Sequence, residues 1–197
     1  MPAIAIRPLT PERWPDLEAV FLARGCSVAR GCWCMYYRES GAFIVPGMKR
    51  AAEARKGKLR ALAKKGPPPG LIAYLGATPV GWVALGPRED FRRLVKSRAM
   101  KAVDDRPAWS IICFVVPSEF RGRGVATALL AGAIAYARER GATLLEAYPK
   151  EPHGRASDDS MWFGAKSMYE KAGFAEVARH VPARPIVRLA LAPSRSQ

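Results

Sequence analysis

The stretch from Trp109 to Leu130 limits what this chain can fold into more than any other. Ser110 to Val116 is an unbroken β-prone apolar run stopped by Pro117, as in a strand covered on both faces. Arg121, Gly122, Arg123 and Gly124 follow, and then the apolar period becomes helical. Val125, Leu129, Gly132 and Tyr136 share one stripe, Ala126, Leu130, Ala133 and Ala137 the adjoining one, and Gly141 stands where a helix stops. A strand, a glycine-rich turn and a helix start make an anion site. The first-turn N–H groups have no partner inside the helix, the macrodipole favours negative charge, and glycines let a ligand approach the backbone. The implied ligand is a diphosphate or a phosphate ester.

The spacing excludes two common phosphate loops. Gly-x-x-x-x-Gly-Lys-Ser/Thr is absent, and no third glycine follows Gly124 at the distance that Gly-x-Gly-x-x-Gly requires. What stands there is Arg121-x-x-Gly124-x-Ala126, after Val115, Val116 and Pro117. This resembles the acetyl-coenzyme-A motif of the GNAT superfamily of N-acetyltransferases, Gln/Arg-x-x-Gly-x-Gly/Ala. Further on, Met168 to Phe174 resembles the Tyr-Glu-Lys-x-Gly-Phe segment that ends the last core helix of that superfamily. The two pieces come in the superfamily's order.

The resemblance implies an α/β (α+β) fold: a mixed central sheet of six to seven strands, splayed at strands 4 and 5, with helices on both faces. It implies acetyl-CoA as the acetyl donor and direct transfer to a primary amine, whether of a small molecule, a peptide N-terminus or a lysine. Arg121, Gly122, Arg123, Gly124, Val125, Ala126 and Thr127 are then expected to hold the diphosphate through backbone N–H groups, with Val115 and Val116 pairing to the pantetheine arm. Tyr169 matches the tyrosine expected as general acid, a phenol of pKa near 10 suited to protonating a thiolate. Glu146, in the segment Leu144 to Ala147, matches a glutamate that serves as base in some members. Trp33, Met35, Tyr36 and Tyr37 fall where such folds shape the acceptor site. Three departures bear on the chemistry rather than on the coenzyme. Ala108 to Val116 contains no Asp or Glu, Trp162 stands where an asparagine is usual, and one extra residue separates Pro117 from Arg121. The rival expectation is a CoA-binding or nucleic-acid-associated module on the same fold with weak or lost catalysis. Many members dimerise, so a homodimer is compatible with the resemblance.

The remaining sequence fits one domain over residues 1–197, with 193–197 as a flexible tail. No apolar run nears the eighteen or so residues of a membrane span, and the start reads as a strand, not a signal peptide. Cys26, Cys32, Cys34 and Cys113 read as reduced cytosolic thiols, and no fourth ligand completes a zinc set, so no metal is expected. The net charge of +15 is concentrated between Lys49 and Lys65 and attracts polyanions, but no nucleic-acid motif accompanies it and no specific nucleic-acid partner is expected.

In chain order, Ala3 to Leu9 reads as a strand and Thr10-Pro11 as a capped helix start carrying Trp14, Leu17, Val20 and Phe21. Gly47 to Lys65 reads as a basic helix packing through Met48, Ala52, Leu59 and Leu62. Leu71 to Leu75 and Val80 to Leu85 read as a hairpin, and Phe91 to Lys96 as a short helix. Thr143 to Tyr148 reads as a strand, Met161 to Lys171 as a helix, and Phe174 to Ala178 with Pro185 to Leu191 as a closing antiparallel pair. His153 lies in a turn-rich insertion, where an imidazole of pKa near 6.5 is able to relay protons.

Overall fold

Segments of period two build the sheet and segments of helical period cover it. The computed structural model describes residues 3–40, 48–151 and 162–192, without the side chains of residues 48 and 49. In chain order the elements are β1 (Ile4–Pro8), α1 (Trp14–Leu22), α2 (Ser27–Cys32), α3 (Met48–Lys65), β2 (Gly70–Leu75), β3 (Thr78–Pro87), α4 (Arg92–Val95), β4 (Trp109–Val115), α5 (Val125–Glu139), β5 (Leu144–Ala147), α6 (Lys166–Lys171), β6 (Ala175–Val181) and β7 (Arg184–Ala190). The strands form one seven-stranded sheet in the order β1-β2-β3-β4-β5-β7-β6. Every neighbouring pair is antiparallel except β4 and β5. A parallel pair needs a crossover, and α5 supplies it. This is the mixed, splayed α/β architecture expected from the sequence.

Alternation divides the core between the two faces of the sheet. In β2, Leu71 and Ala73 pack with α5, while Ile72 and Tyr74 pack with the helices of the other face. The α5 side takes Val125, Leu129, Leu130, Ala133, Tyr136 and Ala137. The opposite side takes Trp14, Leu17, Val20 and Phe21 of α1 with Leu59 of α3, and a third cluster joins Phe91, Leu94, Ile112, Tyr148, Phe163 and Ile186.

The fork between β4 and β5 is the feature that places a site. Only Trp109↔Leu145, Ser110↔Glu146 and Ile111↔Ala147 pair, and β4 then runs on alone to Val115. On its other side, β4 pairs Cys113 with Ala84 and Ile111 with Leu85, so Ile112 is an extra residue bulged out of the ladder. A bulge bends its strand and increases the local twist. Here it sits immediately after the last β5 pair, and β4 leaves its parallel neighbour at that point.

Several boundaries differ from the sequence reading for local reasons. Thr10 makes no side-chain cap, and Pro11–Arg13 form a 3-10 turn. Helix α1 starts at Trp14 because Pro15, without an N–H, is tolerated only in a first turn. Helix α6 starts at Lys166, not near residue 161, because Gly164 is left-handed (φ +78°) and Ala165 is extended. The extra residue after Pro117 is absorbed by a 3-10 turn at Ser118–Phe120. In α3, Leu59 is buried and Ala52 and Leu62 half-buried as expected, whereas the Met48 side chain lies outside the described residues. The basic face of α3 is also more than a solvated surface. Arg55 and Lys58 both pair with Glu39, and Lys56 pairs with Glu18 of α1, which ties α3 to the segments beneath it.

Gly81 allows the first turn of α5 to lie directly on β3, because a Cβ there would meet Val125 Cγ1 at 2.7 Å and Leu129 Cδ1 at 3.1 Å. Gly81→Ala is expected to cost about 1–3 kcal/mol of stability, read as a lower midpoint in urea with unchanged slope. An unchanged midpoint would show that α5 does not seat there.

Candidate active site in the fork of the sheet

A cleft of about 690 Å³ opens where β4 and β5 part. One wall is β4 from Ile112 to Val115, another is Cys26, Ala29 and Cys32 at α2. One end is the turn from Phe120 into α5, and the other is formed by Tyr36, Tyr37, Trp162 and Gly164. The segment leading into α6 wedges the fork open. Phe114 N–H donates to Trp162 O at 2.7 Å, and Lys150 N–H reaches Gly164 O at 3.4 Å. Backbone groups that lost each other at the fork are thus satisfied by an inserted strand-like segment.

The α5 end has the geometry of an anion cradle. Gly122 and Gly124 sit at φ +71° and +78°, a region in which an L side chain is strained, and both are exposed with open space where a Cβ would stand. The first intrahelical bond runs from Ala128 N–H to Gly124 O (2.9 Å), so Val125, Ala126 and Thr127 N–H stand ahead of the helical ladder. No acidic residue occupies that first turn. Of the residues expected to hold a coenzyme, Val115, Val116, Arg121, Gly122, Gly124, Val125, Ala126 and Thr127 line the cleft. Arg123 does not: it is exposed, and its guanidinium lies 5.9 Å from the Phe120 ring centroid. The Arg121 side chain braces the turn, donating to Val116 O at 3.1 Å and Gly25 O at 2.8 Å.

The other end is aromatic and sulfur-rich. Tyr36 and Tyr37 meet edge to face at 4.8 Å, and Tyr37 packs against Phe163 at 5.4 Å. Burial pushes the Tyr37 phenol up to about 12, so it serves as a hydrogen-bond donor throughout the neutral range. The expectation of an acceptor wall that also contains Trp33 and Met35 is corrected. Trp33 is stacked with Phe21 (4.9 Å) and near Trp14 (5.9 Å) inside the core, and Met35 is buried in the same cluster. The chain reverses through two left-handed residues, Trp33 and Cys34, and this turns Trp33 inward while Tyr36 and Tyr37 reach the cleft.

All four cysteines line the cleft, which their spacing in the chain did not reveal. They are free thiols. Burial and then the neighbouring Cys34 raise Cys32 to about 12, and a hydrogen bond with Cys34 followed by burial raises Cys113. Thiols held protonated are poor nucleophiles and poor metal ligands. Among the described residues no group of His, Cys, Asp and Glu is arranged to hold a metal ion.

Neither residue expected to carry protons lines this cleft. Glu146 is fully buried, with Oε1 accepting from Arg88 Nε (3.1 Å) and Tyr148 Oη, and Oε2 from Arg188 Nε (2.7 Å). Both carboxylate oxygens are thus taken up by partners at the base of the fork, away from the cleft lining. Tyr169 is also fully buried, and its hydroxyl donates to Phe163 O at 2.9 Å. Burial raises its pKa, and the hydroxyl supports the wedge from behind. His153 lies outside the described residues. No helix among those residues is long and apolar enough to cross a membrane.

A mixed sheet forked at one parallel pair, with a glycine turn and helix start at the fork, defines a class of acyl-transfer folds. The profile described as the acetyltransferase (GNAT) family matches residues 33–174, which takes in the fork, the glycine turn and α6. The chain belongs to the GNAT acetyltransferase family. Solved structures with the same fold include a PaiA N-acetyltransferase of Thermoplasma acidophilum in complex with coenzyme A (17% identity, TM-score 0.51, covering 95% of this chain and 99% of that one). Ard1 of Thermoplasma volcanium (17%, TM-score 0.53, 96% and 99%) and the polyamine N-acetyltransferase of Drosophila melanogaster (11%, TM-score 0.56, 96% and 100%) are similar to the same extent. No curated protein matches the chain.

Glu146→Ala removes the shared partner of the half-buried Arg88 and the buried Arg188, leaving Arg188 only Asp104. It is expected to lower stability by about 3–5 kcal/mol in chemical denaturation. Tyr169→Phe orphans the buried Phe163 carbonyl, with an expected loss of about 1–3 kcal/mol. A Glu146→Ala protein as stable as wild type would overturn the clamp.

Proposed function

We propose that the chain transfers an acetyl group from acetyl-coenzyme A to a primary amine by direct attack of the amine on the thioester carbonyl. The observation that carries this reading is the continuity of one cleft from the left-handed Gly122–Gly124 turn to the Tyr36–Tyr37 end along the part of β4 that β5 leaves. The residues fit the donor. A glycine turn with forward-facing N–H groups and no first-turn acid suits a diphosphate, and the apolar trough beyond it suits a pantetheine arm. Bound there, the coenzyme supplies an acyl group already activated by its sulfur leaving group.

The protein's own part is then positional and electrostatic. Phe114 N–H points to the β5 side of β4, and by the two-residue period Val116 N–H faces the same way, free of β5 beyond the fork. Val116 N–H is thus suited to polarise a thioester carbonyl, and Tyr36 or Tyr37 to donate a hydrogen bond to the departing sulfur. No carboxylate or histidine is among the described residues lining the cleft, so the proton leaving the amine nitrogen passes to solvent and from there to the released thiolate. In this reading Tyr169 and Glu146 hold the fork in shape and do not touch the reacting atoms.

Two measurements check the reading. Gly124→Glu places a strained residue and a negative charge at the cradle, and titration calorimetry is expected to show acetyl-CoA affinity reduced at least about tenfold. Equal affinity would remove the cradle from the proposal. Without a built-in base, kcat/KM is expected to rise about tenfold per pH unit and to level at the acceptor amine's own pKa, near 8 for an α-amine and near 10.4 for a lysine-like amine. An inflection that stays fixed when the acceptor changes would mean an enzyme base; one near 6.5 that vanishes in His153→Gln would give that role to His153.

The missing carboxylate also favours a second reading, a coenzyme-A-binding module without turnover. Release of free thiol from acetyl-CoA over a panel of amines separates the two: no amine-dependent release would leave only the binding module.

A further inference from the structure

Two cations sit against the aromatic rings at the far end of the cleft without lining it themselves, and no carboxylate among the described residues pairs with either. Arg184, where the β6–β7 hairpin enters β7, places its guanidinium 4.4 Å from the Phe163 ring centroid and donates to Tyr148 O at 3.3 Å. Lys150, just beyond β5, places Nζ 4.7 Å from the Trp162 ring centroid. Trp162 lines the cleft itself, and Phe163 packs edge to face against Tyr37, which also lines it. Both cations are half-buried. Among the described residues neither joins an ion pair with a carboxylate. The carboxylate next along the chain, Glu151, is turned away to Lys166 and Arg179.

We infer that Lys150 and Arg184 form the anion-binding end of the acceptor site, and that the acceptor is an amine carrying an anionic group on an apolar or aromatic body. This deepens the acetyltransferase reading and rests on it for the position of the amine. Three observations carry it. Two like charges, each partly stripped of water and held over the neighbouring rings of Trp162 and Phe163, whose centroids lie 6.5 Å apart, are costly near one another, and an anion between them repays that cost. Each group is indeed shifted down, by burial first, and Lys150 also by the charge of Arg184. Next, no Asp or Glu is among the described residues lining the cleft, and the neighbouring cations repel a polycation. Last, the surfaces between the two ends are apolar and aromatic: Ile112, Phe114, Tyr36, Tyr37 and Trp162. The amine is then directed toward the fork while its anionic group is held at the mouth. A planar guanidinium beside an ammonium suits a carboxylate or a phosphate.

The test uses the full chain saturated with coenzyme A and acceptor trios with a common side chain: phenylalanine, its amide and phenethylamine, then leucine and its counterparts, with O-phosphoethanolamine against ethanolamine for phosphate. Binding is read by calorimetry and turnover by thiol release with acetyl-CoA. The anionic member of each set is expected to bind at least about tenfold more tightly than its neutral counterparts, the size of one charge-assisted hydrogen bond. Arg184→Gln and Lys150→Met are each expected to remove most of that preference, Arg184→Lys to keep part of it, and acetyl-CoA affinity to stay unchanged in all three. Preference for the carboxylate or the phosphate set identifies the anion. Equal binding of charged and neutral members in wild type, or a preference that survives both neutral variants, overturns the inference. Anion-selective binding with no acetyl transfer would keep this site and overturn the enzyme reading; transfer without anion preference would do the reverse.

Discussion

Two parallel strands that share three paired positions and then diverge must be fastened below the point of divergence. Glu146 of β5 does this. It lies opposite Ser110 of β4 and opposite Arg188 of β7, so one carboxylate spans the three strands that carry the fork. Arg188 continues to Asp104 at 2.7 Å, Arg88 reaches Met100 O at 2.8 Å, and Ser110 Oγ meets Tyr148 Oη at 3.1 Å. At the buried Glu146, Arg188 and Ser110 each of these polar groups depends on the others for its partners. The base of the fork is therefore cross-linked by side chains from distant segments.

Above that base the geometry follows in order. The bulge at Ile112 bends β4 away, the wedge from Trp162 to Ala165 satisfies the freed backbone, and the remaining edge of β4 faces a trough ending at the helix start. Gly81 and Gly132 bring α5 close against β3 and β1, so the helix N-terminus opens at the end of that trough and not elsewhere on the sheet. The apolar trough and the polar cradle are one consequence of how far two strands part.

Much of this was legible along the chain. The apolar run of β4, the change of period after Gly124 and the two alternating strands of the hairpin are local patterns, and local patterns carry element type well. The extra residue after Pro117 was visible as an insertion but not as the 3-10 turn that absorbs it. Trp33 and Met35 were misplaced for a physical reason: an aromatic cluster in a loop has the same composition whether it lines a cleft or fills a core. Only the left-handed turn at Trp33 and Cys34, which neither residue favours intrinsically, decided which side chains faced inward. The partners of Glu146, Arg88 and Arg188, were likewise hidden, because they come from distant segments of the chain.

What the amino-acid sequence determined by itself is the order and kind of the elements, the glycine turn that fits a diphosphate, and membership of the superfamily, because these depend on neighbours within one turn or one strand. The tertiary structure alone decided the rest: the bulge that opens the fork, the gathering of four thiols along one cleft, the clamp on Glu146, and the placing of Lys150 over Trp162 and of Arg184 over Phe163. Each of these joins residues far apart in the chain, and their proximity follows from the order in which the strands pair, which no local pattern encodes.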